Sequence, residues 1–201
     1  MAYSDFQTLS QVKASFDLSI NLVNLFPNLE IVEPSDYLKI TLKRNLQVAF
    51  DNDTEKARSE LIIAPFLIEI REMFNGKISL FSGRDFNVDA TQGLNGYCDY
   101  ILSASELALE IEAPVITIVE AKNDSTNAGL GKCIAEMVAA QRFNQARDKI
   151  TESIYGAVTN GRVWRFLQLD REELTLSDAE DINIAKILAI FSNQIKKLNI
   201  F

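Results

Sequence analysis

The segment Pro114-Val115-Ile116-Thr117-Ile118-Val119-Glu120 constrains the fold more than any other part of this chain. It is rich in β-branched residues and almost continuously apolar. A strand of that kind is buried on both faces, so it belongs inside a sheet that other elements cover on either side. Pro114 is compatible with it, because a residue lacking an N–H is tolerated at a strand's start. With 201 residues, 47% of them hydrophobic, the chain suits one α/β domain with a substantial core, spanning 1–201.

The surrounding pattern is consistent with this. Ser10 to Leu25 has weak helical spacing, and Pro27 and Pro34 punctuate the segment after it. Ser35 is placed to cap a helix over Asp36–Val48, which carries Leu38, Leu42 and Leu46, so the first ~50 residues read as a helical extension. A second helix runs over Thr54–Phe74, with a kink expected at Pro65 and an end at Gly76. Lys77–Phe81 reads as a strand, Ser82–Asp85 as a turn, and Phe86–Ala90 equally as strand or loop. Leu94-Asn95-Gly96 signals a turn before a strand over Tyr97–Leu102. Thr126 or Asn127 caps a long helix reaching about Lys149. Thr159-Asn160-Gly161 then joins strands Ile154–Val158 and Val163–Leu169, and a last helix is expected over Asp178–Lys197. The expected architecture is α/β, a central mixed β-sheet flanked by helices.

Composition excludes several chemistries. The chain has no histidine, which removes imidazole-based triads and histidine-ligated zinc. Carboxylates are plentiful, and they suffice for a hard cation such as Mg²⁺. Two widely spaced cysteines, Cys98 and Cys133, read as reduced thiols. The N-terminus lacks the basic start and apolar run of a signal peptide, and no apolar run approaches ~18 residues, so the expectation is a cytoplasmic protein with no membrane association. A net charge of −8 argues against a broad basic surface for nucleic acid, while leaving room for a local basic groove.

Four places stand out. Glu120-Ala121-Lys122 closes the core strand and is the only acid-x-Lys in the chain. Strand alternation puts Glu120 and Lys122 on one face, where they form either an ordinary ion pair or part of a site. Asp99 sits among Tyr97, Cys98, Tyr100 and Ile101 in the preceding strand, beside Glu120 if the two strands are antiparallel neighbours. Glu60 opens the inward stripe Ile63, Leu67, Ile70, Phe74. Gln141 continues the stripe Leu130, Ile134, Met137, whereas Glu136 and Arg142 fall off it and read as solvent-facing.

In order and spacing, Glu60, Asp99, Glu120-Ala121-Lys122 and Gln141 resemble the PD-(D/E)XK nuclease superfamily, with restriction-endonuclease-like fold. The hairpin Ile154–Phe166 is similar to the segment after the motif in the N-terminal nuclease domains of type I restriction subunits. The resemblance covers about residues 54–169; Cys98 stands where the superfamily's name has proline. It implies a Mg²⁺-dependent endonuclease acting on nucleic acid, most simply DNA, with Mn²⁺ able to substitute. Asp99, Glu120 and the Ala121 carbonyl would hold the ion, with Glu60 bound through water or at a second ion. Lys122 would assist the attacking water or the phosphate, and Gln141 would steady Lys122 or the water. Arg84, Lys132, Arg162 and Arg165 are the candidate phosphate contacts. The resemblance leaves open a homodimer, a partner subunit that supplies recognition, or a non-catalytic member of the fold that binds nucleic acid or protein.

Overall fold

The computed structural model describes residues 1–27, 29–106 and 109–199. Its centre is a seven-stranded mixed sheet in the order β1-β7-β6-β5-β4-β3-β2. The strands are β1 (Ser19–Leu22), β2 (Ser79–Asp85), β3 (Tyr97–Ser103), β4 (Val115–Ala121), β5 (Ile154–Thr159), β6 (Val163–Asp170) and β7 (Glu173–Asp181). Only the pairs β4–β5 and β1–β7 are parallel. The apolar segment forms an interior strand, between β5 and β3, and every residue of β4 is buried. The crossover from β4 to β5 is made by α5 (Leu130–Gln145), which covers one sheet face together with α1 (Leu9–Phe16) and the N-terminal turn.

The other face carries α2 (Asp36–Asn52), α3 (Glu55–Arg58), α4 (Ala64–Met73) and α6 (Ile184–Lys197). Its core is aromatic: Trp164 packs against Phe66 at 5.4 Å and Phe191 at 6.0 Å between ring centroids. Each fully buried large side chain of this kind contributes about 1.5–3 kcal/mol. Ser35 caps α2 as its position predicts, accepting from the Leu38 N–H.

Pro65 acts through a π turn rather than a simple break. Residues Ser59–Ile63 wind as a π turn between α3 and α4, and the Ala64 N–H donates to the Ser59 carbonyl. The missing proline N–H is thus absorbed where the hydrogen-bond register changes.

Three expected boundaries are corrected. Ser82–Asp85 is not a turn: β2 continues to Asp85, which pairs with Tyr97, and the chain reverses later around the short 3₁₀ turn Ala90–Gln92. The last helix begins at Ile184 rather than Asp178, because residues up to Asp181 pair with β6. Asn183 then caps it, accepting from the Lys186 N–H. The N-terminal ~50 residues are not wholly helical, since β1 joins the sheet edge beside β7. No helix among the described residues is long and apolar enough to cross a membrane.

Candidate active site

The β3–β4 register, Tyr100 opposite Val119, sets Asp99 next to Glu120. The Ala121 N–H donates to Asp99 Oδ2 at 2.8 Å, which anchors one oxygen of that acid to the end of β4. One residue on, the Lys122 N–H donates to the Thr159 carbonyl at 2.8 Å, so the end of β4 is tied to both neighbouring strands. This is the physical basis for a well-placed cluster here: Asp99 and Glu120 hang from two paired strands, and Lys122 follows directly on the end of β4.

Glu120 is 0% exposed. Its Oε1 lies 2.7 Å from Lys122 Nζ, and its Oε2 accepts from Lys132 Nζ at 2.8 Å. Lys132 stands in the first turn of α5, and its ammonium also lies 3.6 Å from Asp99 Oδ1 and 3.5 Å from Glu136 Oε1. Lys122 reaches Glu55 Oε2 at 3.7 Å. The approach of α5 depends on Gly129: a Cβ there would lie 2.7 Å from Val158 Cγ1, 3.0 Å from Lys122 Cγ and 3.1 Å from Glu120 Cγ.

Four carboxyl groups therefore face two ammoniums. Burial, reinforced by the charge of Asp99, lifts the Glu120 carboxyl to about 7 against the pull of both lysines. Burial and then Glu120 hold the Glu136 carboxyl well above the ordinary range. For Lys122 and Lys132, burial acts to lower the ammonium pKa, and the surrounding carboxylates outweigh it, so both are raised. Burial pushes the Cys98 and Cys133 thiols up as well, which fits inert core cysteines.

Beside the cluster opens a cleft of about 360 Å³, lined by Asp99, Ala121, Tyr100, Glu55, Lys56 and Glu60 among others. The Tyr100 hydroxyl is 2.7 Å from Ser59 Oγ and donates to the Ser59 carbonyl at 3.0 Å, which ties β3 to the π turn that carries Glu60. Glu60 is not inward. Its side chain is 62% exposed at the cleft rim, 3.6 Å from Lys56 Nζ, because the π turn rotates it away from the stripe a regular helix would give.

The structure does not bring Gln141 to the cluster. It lies nine residues beyond Lys132, about 13 Å along a helix, and its side chain donates to the Arg171 carbonyl at 3.2 Å. It has no part in the cluster. Glu136 is also corrected: it is fully buried rather than solvent-facing. Helix α5 is buried nearly all round, so period alone does not choose its inner face. A usable signal existed, since Glu136 is the one polar residue between Cys133 and Ala140. Of the four candidate phosphate contacts, only Lys132 joins the cluster. Arg84 donates to the Leu109 carbonyl, and Arg162 covers the Phe50 ring in a separate hollow.

No three acid or thiol groups among the described residues converge closely enough to hold a metal ion as they stand. The donors nevertheless suit a hard cation. They are carboxylate oxygens, and a cation, the Lys132 ammonium, already rests on Asp99 and Glu120. Compared with protein-family models and with curated protein sequences, the chain matches none.

Proposed function

We propose that this protein is a Mg²⁺-dependent nuclease of the PD-(D/E)XK type. One observation carries the reading: Asp99 and Glu120-Ala121-Lys122 meet at the ends of two adjacent central strands, with Asp99 opening onto a cleft. Asp99 and Glu120 would hold the ion, and Glu60 on the cleft rim would contribute from the far side. The chemistry such an ion supplies is Lewis-acid activation of a phosphodiester and of water. The chain's own residues do the rest. The bond from the Ala121 N–H leaves Asp99 one oxygen for binding. Lys122, cationic and half-buried, offers an ammonium to charge developing on a phosphate. Gln141 takes no role in this scheme. Because the net charge is −8, recognition of DNA is assigned to a partner subunit or a second copy rather than to a basic surface of this chain.

The test is nicking of supercoiled plasmid with Mg²⁺ or Mn²⁺. Wild type should cut, and Lys122→Ala should lose ~10²–10³-fold in rate while still folding. Lys122→Arg should rescue poorly, because a planar guanidinium does not occupy an ammonium's position. Absence of cutting on DNA and RNA with either ion would sink the catalytic reading. One observation favours a second reading, a non-catalytic domain of the same fold that binds nucleic acid or protein: both oxygens of Glu120 are already occupied by lysines. Folded protein that binds nucleic acid or a protein partner but neither takes up Mn²⁺ nor cuts any substrate would select it.

A further inference from the structure

The Lys132 ammonium sits where three acids meet, and they do not share it equally. It is 2.8 Å from Glu120, 3.6 Å from Asp99 and 3.5 Å from Glu136. Charge-assisted N–H···O bonds run about 2.7–2.9 Å, so only Glu120 is fully served. Glu136 is left worst off. It is 0% exposed, and neither oxygen accepts a hydrogen bond of good geometry among the described residues. The Cys98 thiol, a weak donor, lies alongside it. A buried carboxyl beside which stand only a weak thiol donor and an ammonium 3.5 Å away, among the described residues, is an unusual thing to retain in a core.

Lys132 and Glu136 are also one turn apart on the same helix face, at i and i+4. Lysine's long stem allows its Nζ to move between neighbouring acceptors by side-chain rotation alone. A short shift toward Glu136 gives that acid a full charge-assisted bond in place of a 3.5 Å contact. The same shift frees Glu120 Oε2 and Asp99 Oδ1 together. Lys122, on the other oxygen of Glu120, need not move.

We propose that Lys132 is a displaceable resident cation: a divalent ion enters between Asp99 and Glu120 by driving the Lys132 ammonium onto Glu136. This rests on the metal-site reading above and adds a gate to it. Metal-free protein is held closed by its own lysine, and the apparent affinity for metal is reduced by the fraction of molecules in which that lysine has moved aside.

The experiment titrates Mn²⁺ alone onto the full chain and follows the free-ion signal by electron paramagnetic resonance, with no substrate present. Lys132→Met should bind at least about tenfold more tightly than wild type. Glu136→Gln should bind more weakly, because the displaced ammonium then meets a neutral amide oxygen instead of a carboxylate. The decisive arm is the double variant. If Glu136 acts only through Lys132, Glu136→Gln changes nothing in the Lys132→Met background. If it weakens binding equally in both backgrounds, it acts through space as a plain charge and the proposal is overturned. Lys132→Met binding no tighter than wild type would overturn it too. Should the methionine variant not fold, Lys132→Gln keeps a donor for Glu120 and supports the same cycle. Asp99→Asn separates the two readings. Wild type that binds Mn²⁺ and loses it in Asp99→Asn keeps the metal site, whatever Lys132 does. Failure of wild type and both Lys132 variants to bind removes the metal site and the gate together.

Discussion

Glu120 sits where burial and ion pairing pull against each other, and burial wins even with two lysines in contact. Its folded pKa, about 7, lies above that of an unfolded glutamate. Between those two values the native state holds more protons than the unfolded state, so stability falls as pH rises through the window. Glu136 is shifted the same way and adds to the slope. The lysines are raised, and their contribution is fully present below the unfolded lysine value, so it is constant across this range. Denaturant melts without metal should therefore show the protein less stable at pH 8 than at pH 5.5, with Glu120 accounting for on the order of 2 kcal/mol. Glu120→Gln should flatten the slope. Stability that climbs from pH 5.5 to pH 8 in chelator would contradict the assignment.

At the level of elements, the site depends on how closely α5 can lie on β4 and β5. Gly129 permits that approach, with Val158, Lys122 and Glu120 filling the space where a methyl would go. Gly129→Ala should lift the start of α5, cost about 1–3 kcal/mol by overpacking, and carry Lys132 away from Glu120. A thermal melt checks the first effect. Alanine tolerated without loss would mean that α5 has slack at its first turn. Local chemistry made several elements legible. The Ser35 cap and the Thr159-Asn160-Gly161 reversal were readable because the residues that specify them are adjacent in sequence. The start of α6 was not readable. Residues Ala179 to Asp181 are drawn into β7 by pairing with Val163 to Arg165, and no local pattern announces a partner that far away in the chain.

Across the whole molecule, an acid-rich cluster is bound into the middle of a seven-stranded sheet, so events at the site should register in global stability. A divalent ion that binds only the folded state adds about 2.7 kcal/mol at a hundredfold excess over its Kd. Melting temperature should rise with Mn²⁺ and return with chelator, and Asp99→Asn should abolish the response. A flat titration, with Glu120→Gln less stable than wild type at every pH, would reduce the cluster to a structural ion-pair network. The same scale frames the nucleic-acid reading. Without a partner, a chain of net charge −8 should hold DNA weakly, and a salt titration of binding should show a shallow slope.

The sequence by itself determined the class of sheet, a strand buried in its interior and three of the residues that meet at its end. Those follow from short-range rules: a run of β-branched residues buries both faces, and a period of two puts Glu120 and Lys122 on one side. The rotation of Glu60 onto the cleft rim, the exclusion of Gln141, and the entry of Lys132, Glu136 and Glu55 into the cluster were decided only by the tertiary structure. Each depends on a quantity that periodicity does not carry: the register change of a π turn in one case, and in the other the face of a helix buried nearly all round, chosen by its packing on the sheet.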